Sequence, residues 1–242
     1  VAWITPPQTW DSLSYHLSRV AHWAQNRSTG HYLSGIERQN SMSPAAELLV
    51  LNTYVLTGGD RLANFPQWLA MLGSLVGVSL STKLLGANRF GQWLAAAFAA
   101  TLPIGIVQAS STTTDYVATF WTVCVAVEAL QYAKNEDPPA LFYASLAAAL
   151  AVLTKPVVIP YLIPFAAWIA VALIRRRGWR AAGKWAAAAL FVVLAINAGY
   201  LGRNLITYGH IANPSDLDYH SNQLRNLPGL ISIALRNAGL QA

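Results

Sequence analysis

The sequence predicts an all-α, polytopic integral membrane protein with about six transmembrane helices. Three observations lead there. Apolar runs of near membrane length recur along the chain, separated by short polar connections. Only 11% of the 242 residues are charged, while 55% are hydrophobic and the mean hydropathy is +0.37. An ordinary soluble domain carries about a quarter charged residues. Nine Trp and ten Tyr suit aromatic belts at the two bilayer–water boundaries.

The elements follow in chain order. Residues 12–24 space Leu13, Leu17, Val20, Ala21 and Ala24 at helical intervals, with Ser12, His16, Arg19 and His22 mainly on the other side. This predicts an amphipathic helix lying flat on a bilayer. Residues 44–56 form a second helix, too short to span. The spans are expected at 63–85, 90–108, 116–133, 140–153, 157–174 and 185–201. The first carries Gly73 and Gly77, a spacing that lets a neighbouring helix approach closely. The fifth carries Pro160 and Pro164 and is expected to kink. Three units result: 1–62, an extracytoplasmic loop with interfacial helices; 63–202, the membrane core; and 203–242, an extracytoplasmic segment. The chain opens and closes mid-pattern, so a span is expected before Val1 and further structure after Ala242.

Charge orients the core. Connections 82–91, 134–139 and 175–184 hold Lys83, Arg89, Lys134, Arg175, Arg176, Arg177, Arg180 and Lys184. The positive-inside rule places them in the cytoplasm. Asp11, Asp115, Lys155 and Arg203 then share the extracytoplasmic face. The net charge of +6 is explained by these loops, so the expected partner surface is lipid and not nucleic acid. The single Cys124 lies in an apolar run and forms no internal disulfide.

Few residues offer chemistry. Asp11 suits a general base taking a proton from a positioned hydroxyl, or an N-cap for the helix it precedes. Asp115 follows a run of Ser and Thr at the head of the third span, where it suits an N-cap, a cation ligand or a group that positions the surroundings of Asp11. Together the two acids are candidate ligands for a divalent cation, although two ligands are few. Lys155 and Arg203 are cations at the membrane edge, suited to a lipid-linked phosphate or to lipid head groups. Glu47 is within range of a substrate, or else is solvated or caps a helix. His16 and His22, six apart, lack the spacing of a helical metal pair and are expected at the surface. No Walker loop, dinucleotide fingerprint, C-x-x-C or nucleophile elbow is present.

Four stretches, in order, resemble one superfamily. They are residues 10–19 (WDSLSYHLSR), 111–116 (STTTDY), 151–156 (AVLTKP) and 200–209 (YLGRNLITYG). The chain is similar to the GT-C fold membrane glycosyltransferases, the group of protein O-mannosyltransferases, aminoarabinose transferases and their bacterial relatives. The resemblance implies a sugar donor on a polyprenyl phosphate and a lipid, glycan or protein acceptor. Asp11 matches the catalytic acid, acting as base on the acceptor hydroxyl, with displacement that inverts the anomeric centre. Asp115 matches a second-loop acid, and Lys155 and Arg203 match cations that stabilise the leaving phosphate. Tyr15 and His16, within the first stretch, and Glu47 are expected to bind substrate. No cofactor is required by the resemblance. Asp11 is followed by Ser12 and not by the second acid of the protein O-mannosyltransferases, so the bacterial relatives and a bacterial inner membrane fit better. The alternative is a transporter or flippase of a lipid-linked sugar, which would show internal repeats and polar groups at mid-membrane.

Overall fold

The computed structural model describes residues 6–211 and 227–239. Among these residues every regular element is helical. A π turn at Ser12–His16 leads into α1, Leu17–Asn26; then follow α2, Arg38–Ser41, and α3, Ala45–Thr57. The longer helices are α4, Phe65–Leu84; α5, Arg89–Ala100; α6, Pro103–Ala109; α7, Asp115–Asn135; α8, Pro138–Thr154; α9, Ile159–Arg177; and α10, Trp179–Tyr208. A last helix, α11, covers Leu227–Gly239. The expected unit 203–242 therefore divides. Its first residues continue α10, part of it forms α11, and 212–226 and 240–242 lie outside the described residues.

The helices fall where the apolar runs predict them, but six spans are not reached. Two are long and apolar enough to cross a bilayer: Pro156–Arg177, which is α9 with its leading 3-10 turn, and Trp179–Tyr208. Counting α5 and α6 as one bent span makes three. The reasons are local. Gln67, Ser74, Ser79, Ser81 and Thr82 dilute α4, and Asp115, Glu128 and Lys134 interrupt α7. With 17 residues, α8 falls short of the about 20 that a span needs.

The expected second span is broken where the sequence reading placed none. Pro103 removes a backbone donor and biases Leu102 away from helix, and Leu102 is extended at φ −63°, ψ 118°. The axes of α5 and α6 differ by 71°. The expected kink in α9 is not a break. Pro160 falls in its first turn, where a missing N–H costs nothing, and the helix runs on through Pro164.

Packing follows residue size. Ala140, Ala144, Ala147 and Ala151 recur on one face of α8 and are all buried, which lets α7 and α10 close against it, while α9 packs on α7 and α10. The Gly73 and Gly77 pair of α4 faces Phe120 and Val123 of α7. By contrast, Phe191 of α10 is 72% exposed and Ile163 of α9 is 60% exposed. The outer faces of these two long apolar helices are thus uncovered among the described residues, as a lipid-facing surface would be.

The N-terminal layer of α1 to α3 packs across α4 and α8. Here the amphipathic reading needs correction. The polar side of α1 does not face water or head groups. Ser12, His16 and Arg19 are buried in protein, with Arg19 1% exposed. Trp10 and Leu13 point outward instead.

Candidate functional site

The site is built where the first helical segment, the loop before α7 and the end of α8 meet. The loop is docked by a hydrogen bond from the Thr112 backbone N–H to Ser12 Oγ, at 3.2 Å. Gln67 of α4 holds its other side, donating to Thr113 Oγ1 at 2.8 Å and accepting from the Val117 N–H at 3.0 Å. These contacts bring together residues a hundred positions apart.

Asp11 has helical backbone angles and makes no capping hydrogen bond, so its cap reading does not hold. Its carboxylate is exposed and lies near the Tyr15 hydroxyl. Burial, reinforced by the nearby Asp11 carboxylate and the charge of Asp115, pushes the Tyr15 phenol well above its ordinary range. Tyr15 therefore stays a neutral donor at any physiological pH. The Ser12–Thr112 hydrogen bond brings the segments that carry the two acids together.

Asp115 is the first residue of α7 and not its cap; Thr114 occupies that position. Its Oδ1 accepts from Lys155 Nζ at 2.6 Å. Both side chains are about one-third exposed, 34% for Lys155 and 38% for Asp115. Exposed pairs contribute about 0–1 kcal/mol, so this one positions charge more than it stabilises the fold. Lys155 is held in extended backbone between the end of α8 and the turn opened by Pro156.

Two cavities flank Lys155. The first, about 540 Å³, runs between α6, α7 and the start of α9 and is lined by Gly105, Gln108, Asp115, Tyr116, Lys155 and Tyr161, among others. The second, about 460 Å³, lies between α3, α8 and α10. Both are within the range that takes a small ligand, about 300–1,000 Å³.

His16 and Glu47 are not at the surface. His16 Nδ1 donates to Glu47 Oε1 at 2.8 Å, and Arg19 lies 3.5 Å from the same oxygen. Burial raises the Glu47 carboxyl, but the His16 hydrogen bond and the Arg19 charge outweigh it and hold it below the ordinary range. Glu47 is not solvated, because α1 packs on α3 and encloses it; Pro44, and not Glu47, occupies the cap position of α3. Arg19 also donates to the Met42 carbonyl at 2.9 Å and lies over the Trp23 ring at 4.6 Å. The segment it holds is gripped from the other side by α10. Tyr200 Oη and Asn204 Nδ2 donate to the Ser41 carbonyl at 3.1 and 3.0 Å.

Arg203 is the predicted residue the structure does not bring in. It donates to the Thr29 carbonyl at 2.8 Å, beside His31, away from Asp115 and Lys155. His22 is half-buried and stacks on Tyr32, with ring centroids 4.2 Å apart. Asn197 went unread in the sequence. It lines the second cavity from mid-α10, and a lone amide in an apolar helix was the signal that marked it.

For a divalent cation the fit is poor. Asp115 already faces an ammonium, and among the described residues no three His, Cys, Asp or Glu side chains group together. Such ions take six or more oxygens.

No curated protein and no solved structure matches the chain. A family model does match, over residues 51–219, and its description is a domain of unknown function, DUF8201. The matched range begins inside α3 and holds Asp115, Lys155 and Arg203, while Asp11, Tyr15, His16 and Glu47 precede it. As the match covers more than half of the residues, the chain belongs to the DUF8201 family.

Proposed function

We propose that this chain acts in a membrane glycosyltransferase that moves a sugar from a polyprenyl-phosphate donor to an acceptor hydroxyl. The observation that carries the reading is the Asp115–Lys155 pair on the wall of the first cavity, with the Asp11 segment docked against the loop before Asp115 through Ser12 and Thr112. An exposed carboxylate and a positioned ammonium are the two groups that a phosphate-leaving displacement needs.

Asp11 takes the proton from the acceptor hydroxyl. The acceptor oxygen attacks the anomeric carbon, the bond from that carbon to the phosphate oxygen breaks, and the configuration inverts. The phosphate leaves with both electrons of that bond, and Lys155 stabilises its charge. Asp115 holds Lys155 in place until the phosphate competes for the ammonium. The prenyl chain lies along the apolar helices that bound the first cavity. Arg203 reaches the phosphate only if it leaves Thr29.

The site faces the extracytoplasmic side of a cell membrane, such as a bacterial inner membrane. The argument is charge. Arg175, Arg176, Arg177, Arg180 and Lys184 cluster where α9 ends and α10 begins, and the site lies at the opposite ends of both helices.

Sugar transfer in lipid, with a panel of polyprenyl-phosphate sugars, tests the reading. Asp11→Asn should lower transfer by at least about 100-fold, the lower end for a positioned general base, with thermal stability unchanged. Transfer that survives in Asp11→Asn overturns the assignment. Vectorial movement of the lipid-linked sugar without transfer would put the transporter reading in its place.

A further inference from the structure

The second cavity carries an inference of its own. Its polar end holds three buried groups with no hydrogen-bond partner among the described residues: Glu47 Oε2, Asn197 Oδ1 and Ser41 Oγ. Each residue is nearly sealed, at 2%, 1% and 0% exposed. Glu47 offers both its neighbours the same oxygen. His16 and Arg19 lie on Oε1, which leaves Oε2 without a partner. Asn197 spends its amide hydrogens on the Ala149 and Val193 carbonyls, which leaves its oxygen. Two of the three groups are pure acceptors and the third, a hydroxyl, accepts as well.

The other walls are apolar. Val152, Val157, Ile159, Val193, Leu194 and Leu201 come from α8, α9, α10 and the turn before α9. Buried acceptors left unpaired are costly, so an occupant of this cavity must bring donors to one end and aliphatic surface to the other. Charge narrows the head group. Arg19 is paired with Glu47 and Lys155 with Asp115, so the charges near the cavity balance and favour neither a cation nor an anion. An anion would meet Glu47 and two unpaired acceptor oxygens.

From this arrangement we propose that the second cavity is a binding site for a neutral, hydroxylated amphiphile. Its hydroxyls donate to Glu47 Oε2 and Asn197 Oδ1, and its alkyl chain lies against α8 and α10. The site rests on these oxygens and walls, and stands whether or not the sugar-transfer reading holds.

The test uses the full chain held in amphipol and radiolabelled octyl β-glucoside below its micelle concentration. Octyl phosphate and octylammonium serve as probes with the same tail and a charged head. The glucoside should show one saturable site and bind more tightly than either charged probe. Glu47→Gln and Asn197→Leu should each weaken it about tenfold, the loss of roughly one well-made hydrogen bond to a buried group. Leu194→Trp, on a half-exposed wall, should block it with the melting temperature unchanged. If Glu47→Gln does not fold, Asn197→Leu and Leu194→Trp decide. Absence of saturable binding, a preference for either charged probe, or unchanged affinity in both Asn197→Leu and Leu194→Trp overturns the proposal.

Discussion

At the scale of single residues, the same polar alphabet ends in opposite environments. Asp11 and Arg19 sit eight positions apart, one exposed and the other 1% exposed. The sequence singled out Asp11, Asp115 and Lys155, because isolated charge beside apolar runs is visible without a structure. It could not show that Lys155 meets Asp115, forty positions away, nor that Glu47 meets His16 and Arg19. Those pairings come from how α1 packs on α3 and α7 on α8. The Arg19–Glu47 pair gives a stability prediction. Arg19→Met leaves a buried carboxylate without its main counter-charge and should cost about 3 kcal/mol, seen as a lowered melting temperature in detergent. An unchanged melting temperature would show that the pair contributes nothing. Glu47 also sets a pH dependence. Its folded pKa lies below the ordinary carboxylate value, so its contribution is complete above about pH 4.3 and is lost as pH falls through the folded value. Wild type should lose stability between neutral pH and strong acid more steeply than Glu47→Gln. Equal acid sensitivity of the two proteins would rule out Glu47 as the titrating group.

At the scale of elements, helix position was legible and helix continuity was not. Apolar runs separated by Gly, Pro and charge mark where helices start and stop. Whether a proline breaks or merely tolerates a helix depends on its place in the turn. Pro103 opens α6 after an extended Leu102, while Pro160 sits harmlessly in the first turn of α9. The tight α4–α7 contact was readable from Gly73 and Gly77. A Cβ on Gly73 would come within 2.6 Å of the Phe120 ring. Gly73→Val should therefore force the two helices apart and destabilise by about 1–3 kcal/mol, whereas Gly183→Val, whose Cβ meets nothing within 4 Å, should cost less. Thermal unfolding of both variants checks the contrast, and similar losses would mean that the α4–α7 contact is loose. The amphipathic pattern of residues 12–24 is real. Its polar face turned inward because α3 supplies Glu47 there, a partner that no local pattern predicts.

At the scale of the whole molecule, α9 and α10 form an apolar pair whose basic turn and polar site lie at opposite ends. This predicts sidedness. With Cys124 replaced by Ala, Gly35→Cys should react with a membrane-impermeant maleimide from outside intact cells. Arg177→Cys should react only after permeabilisation. The reverse pattern would place the site in the cytoplasm and sink the extracytoplasmic reading; labelling of both from outside would deny that α9 crosses. The sequence by itself determined the all-helical class, the helix positions, the apolar surface and the basic cluster between α9 and α10. These follow from composition and from short-range periodicity, which act over a few turns of chain. The tertiary structure decided how few of those helices combine span length with apolarity, where Arg203 goes, and that His16, Arg19 and Glu47 form a buried cluster. It also made the cavity where Ser41, Glu47 and Asn197 meet. Each of these depends on contacts between helices distant in sequence, and a side chain's burial and charge partner are set by its neighbours in space.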